Sequence, residues 1–290
     1  MIKFHRSTVE ALSDANIVLI GVPDESRSHA ERRGTSRAPD IIRLASNESE
    51  FFKRNGKIIP TSPMLGSLSD KKILDFGNIE REKLASVIGH LISNRKLPII
   101  MGGDHSITTI ALKQIGKMLG KVSVFYFDAH PDFVSSTNNY YGSVMTDSAE
   151  FIDFKNSMLI GTRAAEAEEL DNAAKVGLEV ITPMDIVELG LPRLAGRLTN
   201  ERQQKKYVSV DLDCVDPAFA PGVSVPSSGG LSSTELLYLV KRVVNSGIIA
   251  MDIVELSPDF DLNNITAWLA ARIISESMAS LSEQQKTIKS

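Results

Sequence analysis

The chain has 290 residues, of which 42% are hydrophobic and 23% charged, with a formal net charge of −4. This composition holds enough apolar material to offset chain entropy and excludes a disordered chain, while the absence of a strongly basic balance argues against a nucleic-acid partner. A single cysteine, Cys214, excludes an internal disulfide, a CxxC motif and a multi-cysteine zinc site, and fits a reducing cytoplasm.

Met1 to Asn16 mix His5, Arg6, Glu10 and Asp14 with apolar residues and contain no apolar core of signal-peptide length. No apolar stretch approaches the roughly 18–20 residues that span a bilayer, so a membrane partner is not expected. From Ile17 onward, short apolar runs bounded by turn residues recur: Ile17–Gly21, Ile73–Phe76, Leu97–Met101, Val122–Phe127, Met158–Ile160, Leu178–Ile181, Tyr207–Val210 and Ile248–Val254. They are mostly β-branched or aromatic and do not alternate, which predicts strands covered on both faces. Helical spacing lies between them. Ile79–Asn94 sets Ile79, Leu84, Val87, Ile88, Leu91 and Ile92 near one face. Ser232–Asn245 opens on Ser/Thr caps and Glu235, then continues with Leu236, Leu237, Leu239, Val240, Val243 and Val244. Ile265–Leu281 predicts a closing helix. Repeated β-then-α units predict an α/β fold, an open and mostly parallel sheet with helices on both faces, in one domain over residues 1–290. Ligands of such folds bind beyond the C-terminal ends of strands, so the polar clusters after the apolar runs are where chemistry is expected.

Four such clusters stand out. After Leu97–Met101 comes Gly102-Gly103-Asp104-His105-Ser106, with glycines that permit a tight turn; taken alone, His105 reads as a core histidine or as a ligand. After Val122–Phe127 comes Asp128-Ala129-His130-Pro131-Asp132. In extended backbone, positions i, i+2 and i+4 share a side, so Asp128, His130 and Asp132 would converge. Such a group is costly to bury without a cation among it. After Tyr207–Val210 comes Asp211-Leu212-Asp213-Cys214-Val215-Asp216-Pro217, again with carboxylates at i and i+2; Asp216 reads as a turn former and Cys214 as a small buried residue. The last cluster ends Ile248–Val254 with Glu255, which alone reads as a salt-bridge partner or as a functional group. His105, Asp128, His130, Asp132, Asp211 and Asp213 are too rich in carboxylates for one structural zinc and suit two harder divalent ions such as Mn²⁺.

GGDHS, DAHPD and SVDLDCVDP, in that order, resemble the three signature motifs of the ureohydrolase family, which contains arginase, agmatinase and formiminoglutamase. The resemblance extends to Gly21-Val22-Pro23-Asp24, to Arg33-Gly34 through Ala38-Pro39-Asp40-Ile41-Ile42-Arg43, to Asp75-Phe76-Gly77, to Ile160-Gly161-Thr162-Arg163 and to Asp252-Ile253-Val254-Glu255, and it is strongest toward the agmatinase members. It implies a three-layer α/β/α fold around an eight-stranded, mainly parallel sheet. It also implies one metal on His105, Asp128, Asp132 and Asp211 and another on His130, Asp128, Asp211 and Asp213, with Asp128 and Asp211 shared. Mn²⁺, a trimeric or hexameric assembly and a small guanidino substrate belong to the same implication. Two cations lower the pKa of water between them. Asp132 would then move the proton from nucleophile to leaving amine, and Glu255 would orient the guanidinium fork. Urea and an amine would be released.

The chain departs from that pattern in two places. Where the family carries a His-Gly pair that assists proton transfer, this chain reads Tyr140-Tyr141-Gly142-Ser143, with Tyr141 in the histidine's place. A phenol titrates near 10 and is a weak shuttle at pH 7, though it donates hydrogen bonds; His29, on the loop after the first strand, is the candidate substitute. In Gly222-Val223-Ser224-Val225-Pro226-Ser227, agmatinase threonines and a Pro-Glu step are replaced. Phe133-Val134-Ser135 lacks the asparagine with which arginases hold an amino-acid head group, which points away from arginine and toward agmatine. Other readings are arginine, formiminoglutamate or another guanidino acid as substrate, a relative that has lost turnover with the histidine, and a metal-stabilised binding module. No GxGxxG or P-loop pattern supports a nucleotide enzyme.

Overall fold

Each apolar run becomes a strand, and each polar cluster lies just beyond a strand's C-terminal end. The computed structural model describes residues 2–64, 66–199 and 205–281. The chain begins β1 (Ile17–Gly21), α1 (Ala38–Ser49), β2 (Phe51–Arg54), β3 (Lys57–Pro60), β4 (Ile73–Asn78), α2 (Leu84–Ser93), β5 (Leu97–Met101) and α3 (Ser106–Leu119). It continues β6 (Ser123–Phe127), α4 (Val144–Ser148), β7 (Met158–Ile160), α5 (Ala167–Val176), β8 (Glu179–Ile181), α6 (Pro183–Leu189) and α7 (Leu191–Leu198). It closes β9 (Lys206–Asp211), α8 (Ser233–Asn245), β10 (Ala250–Val254) and α9 (Ile265–Ser280). The expected helix over Ile79–Asn94 is shorter at its start, because Arg81–Lys83 forms a 3₁₀ turn before α2. Ser232 caps α8, its side chain accepting from the Glu235 amide while Glu235 reaches back to the Ser232 amide.

Eight strands form one sheet in the order β4-β1-β5-β10-β9-β6-β7-β8. Every neighbouring pair is parallel. The expected mainly parallel sheet is parallel throughout; among the described residues antiparallel pairing occurs in the separate hairpin of β2 with β3 and in an isolated bridge between Val223 and Leu256. That hairpin turns through Asn55-Gly56, both at positive φ (51° and 74°), the backbone that a two-residue primed turn requires.

Strand residues alternate between two cores. Ile17 and Leu19 of β1, with Phe125 and Phe127 of β6, pack on the face that carries α1, α7, α8 and α9. Val18 and Ile20, with Val124 and Tyr126, pack on the face that carries α2 and α3. Both faces of the sheet are therefore covered, which makes three layers and explains why the strands do not alternate apolar with polar. No helix among the described residues is long and apolar enough to cross a membrane.

The register sets the level of the site. Phe127 pairs with Val210, Val254 with Asp211, and Ile253 with Met101. Strands β5, β10, β9 and β6 are consecutive in the sheet, so the residues that follow them leave the sheet side by side.

Candidate metal centre

The loop after β5 is pinned against the loop after β1. A Cβ at Gly103 would stand 1.8 Å from the Asp24 carbonyl oxygen, so only glycine lets the two backbones meet. There the Gly103 amide donates to Val22 O (3.0 Å) and the Asp104 amide to Asp24 O (2.9 Å). Asp104 in turn accepts from the backbone amides of Arg27 and Ser106. His105, immediately before α3, is thereby aimed over the sheet end. Its Nδ1 lies 3.1 Å from Asp128 Oδ2, 3.3 Å from Asp132 Oδ2 and 3.1 Å from Asp211 Oδ2. His130 Nδ1 lies 3.5 Å from Asp128 Oδ1 and 3.0 Å from Asp213 Oδ2. All six sequence-predicted groups are thus brought together.

Their convergence has a different cause from the one the sequence suggests. The backbone from Asp128 to Asp132 is not extended. It bends at Ala129 and His130, and Asp132 sits at φ 51°. The His130 amide donates to Asp128 Oδ1 (2.6 Å), and the Ala129 amide donates to Asp213 Oδ1 (3.0 Å). Asp213 follows Asp211 through a 3₁₀ turn, its amide donating to Asp211 Oδ1 (2.8 Å). Asp128, Asp211 and Asp213 are therefore each held by a backbone amide at one oxygen. A non-glycine residue at positive φ costs about 1–3 kcal/mol and persists only where its surroundings enforce it; Asp132 and Glu255 (φ 65°) are both in this state at the site.

A second set of polar groups, which sequence analysis does not single out, fixes the first. His105 Nε2 is 2.8 Å from Ser209 Oγ, and Ser209 Oγ donates to Asp252 Oδ1 (2.6 Å). Asp252 Oδ2 also accepts from Thr108 Oγ1 (2.7 Å) and from the Tyr207 hydroxyl. Because the one Ser209 proton goes to Asp252, Ser209 accepts from His105 Nε2–H, which leaves Nδ1 as the ring nitrogen turned to the carboxylates. Tyr126 stacks on His105 (4.6 Å, 2°) and its hydroxyl donates to Asp132 Oδ2. The signal for these residues was present: Tyr126 and Ser209 stand two positions before Asp128 and Asp211, so along an extended strand they point to the same side.

Electrostatically the cluster is under strain. Burial, reinforced by neighbouring carboxylates, pushes Asp132, Asp211 and Asp213 above the ordinary aspartate range. Burial also opposes ionisation of Asp128, but His105 and His130 outweigh it and hold that group down at about 2. Burial alone would lower both histidines; the adjacent aspartates reverse this and raise them. Asp128 Oδ2 is buried and has no hydrogen-bond partner.

The cluster opens into a cleft of about 160 Å³. Its walls include His130, Asp132, Tyr140, Tyr141, Ser224 and Glu255. Glu255 is buried, with Oε1 accepting from the His105 amide (2.7 Å) and Oε2 from Ser224 Oγ. Burial and then Asp104 push Glu255 up to about 8. Tyr141 faces the cleft, and burial followed by Glu255 raises its phenol above 10. His29 is exposed, is not part of the cleft wall, and stacks on Tyr140 (5.0 Å, 24°). It is the one candidate that stands behind the site instead of within it.

With this geometry in view, comparison with known proteins gives a consistent result. The family model described as the Arginase family matches residues 15–280. The chain is 31% identical over 277 residues to the agmatinase of Neisseria meningitidis serogroup C (strain 053442), covering 91% of this chain and 86% of that one. It is 30% identical over 292 residues to the proclavaminate amidinohydrolase of Streptomyces clavuligerus, covering 94% and 90%. The crystal structure of the agmatine ureohydrolase of Thermoplasma volcanium superposes with a TM-score of 0.82 at 28% identity, over 97% of this chain and 94% of that one. Fold, motifs and sequence together assign the chain to the arginase family, as an arginase-family ureohydrolase.

Proposed function

We propose that the chain is a two-metal amidinohydrolase that converts agmatine to putrescine and urea. The observation that carries the metal is the donor set. Four carboxylates and two imidazoles converge, and one of their oxygens, Asp128 Oδ2, is buried without a hydrogen-bond partner. Such an oxygen is costly unless a cation meets it. His105, Asp128, Asp132 and Asp211 would hold one divalent ion, and His130, Asp128, Asp211 and Asp213 the other. Carboxylates mixed with imidazole suit Mn²⁺. When bound, the two ions supply Lewis-acid chemistry that makes hydroxide available near neutral pH.

The chain's own groups do the rest. Asp132, which accepts from the Tyr126 hydroxyl, would take the proton of the nucleophile and hand it to the departing amine. Glu255 accepts hydrogen bonds from the guanidinium. Burial and Asp104 hold Glu255 up at about 8, and the guanidinium charge favours its ionised form. Tyr141, raised above 10, stays protonated and acts as a hydrogen-bond donor, not as a base. Agmatine is supported over arginine because, among the described residues that line the cleft, there is no Lys or Arg to meet an α-carboxylate. The small volume also suits a short unbranched compound better than a drug-sized ligand. The proposed assembly is a homotrimer or homohexamer.

The test is urea release by manganese-supplemented protein from agmatine, arginine and formiminoglutamate, with and without chelator. Agmatine is expected to be turned over fastest and chelation to abolish release. Equal or higher rates on arginine would overturn the substrate ranking, and formamide without urea would overturn the guanidino reading.

A further inference from the structure

The outer wall of the cleft differs in kind from its floor. Tyr140 and Tyr141 stand at right angles to each other (ring centroids 5.4 Å apart, 89°). His29 stacks on Tyr140 and meets Tyr141 edge-on (6.3 Å, 72°). The three rings form one contiguous block. Backbone geometry also sets Tyr140. Its amide donates to Ser143 Oγ (3.2 Å), and its ring folds back over Gly142, where a Cβ would stand 2.7 Å from the phenol oxygen. Both tyrosines face the cleft together with Asp132, Glu166, Glu169 and Glu255. Besides Asp132 and Glu255 of the reacting centre, the cleft is lined by Glu166 and Glu169 at the start of α5, so the tyrosine pair shares its wall with two carboxylates outside that centre.

We propose that this aromatic block recognises the second cationic group of the substrate, the protonated amine at the end opposite the guanidinium. The inference rests on the amidinohydrolase reading and adds how the tail is selected. A cation over a ring face is attracted by the ring quadrupole, the more so when partly desolvated. Glu166 and Glu169, which line the same cleft outside the metal centre, add to that attraction and repel an anionic tail. Tyr140 and Tyr141 would touch the tail; His29 and Gly142 are positioning residues that hold the rings.

The experiment varies only the tail. Urea release is measured for agmatine, for butylguanidine, whose tail is neutral, and for 4-guanidinobutyrate, whose tail is anionic. The protein is compared with its Tyr140→Leu, Tyr140→Phe and His29→Ala variants. The unaltered protein is expected to prefer agmatine to butylguanidine, with guanidinobutyrate poorest. Tyr140→Leu is expected to lower the agmatine-to-butylguanidine ratio of kcat/KM by about fivefold, mainly through KM, and Tyr140→Phe by about twofold or less. His29→Ala, at an exposed position, gives a smaller fall in the same direction and serves if Tyr140→Leu does not fold. Butylguanidine used as well as agmatine by the unaltered protein overturns the inference while leaving the amidinohydrolase reading intact. So does a ratio that neither Tyr140→Leu nor His29→Ala moves. No urea from any of the three compounds overturns both.

Discussion

At the scale of single residues, the six donor groups were legible because of where they fall. Carboxylates and imidazoles that directly follow buried apolar runs must be satisfied by something, and a cation is the most economical partner for that many of them. What orients them was not legible. Ser209 matters only because Asp252, 43 residues later, sits beside it, and Tyr126 only because Asp132 folds back over it. Partners of this kind typically change metal affinity 10–100-fold. Ser209→Ala, which frees His105 to take the other tautomer, is therefore expected to weaken Mn²⁺ binding by about tenfold or more in a calorimetric titration. Affinity within about twofold of the parent would mean that the relay does not orient His105. His29 illustrates the reverse case. Its place on the loop after the first strand made it a candidate for proton transfer, but the fold turns its ring outward against Tyr140.

At the scale of elements, the strands and the capped helix α8 follow from local pattern. The hairpin of β2 and β3 carries Asn-Gly, a strong turn signal, but its strands are short and largely exposed, so no apolar run marks them. The tie between α1 and β4 was not readable. Arg43, fully buried on α1, donates through Nε and Nη2 to the two oxygens of Asp75 on β4 (2.8 and 2.9 Å). Asp75 also accepts from the amides of Phe4 and Gly77. Burial opposes the Asp75 charge, but these donors, Arg43 first, hold its carboxyl below its ordinary value of 3.8. A depressed carboxyl contributes stability that is fully present above the unfolded value and is lost as pH falls through the folded one. Asp75→Asn strands a buried guanidinium and is expected to cost about 3–5 kcal/mol in urea denaturation at neutral pH. The gap to the parent should narrow below about pH 4, as Asp75 itself takes a proton. A gap of the same size at pH 7 and pH 3 would refute the ion pair as its source.

At the scale of the whole molecule, the donor groups come from strand ends separated by more than a hundred residues, yet β5, β10, β9 and β6 lie next to one another. The site therefore forms only in the folded chain, and ions bound there stabilise the fold by mass action. At about a hundredfold excess over Kd this is about 2.7 kcal/mol, so chelation of manganese-loaded protein is expected to lower Tm by about 5 °C or more in calorimetry; an unmoved Tm would count against ion binding at the cluster. The sequence by itself determined the strands, the parallel class of the sheet, the family and the identity of the donor groups, because hydrophobic period and residue chemistry are local properties. Only the tertiary structure decided which strands are neighbours, how bends and a positive φ aim each carboxylate, and which rings wall the cleft. Those depend on contacts between residues far apart in the chain, and no local pattern encodes them.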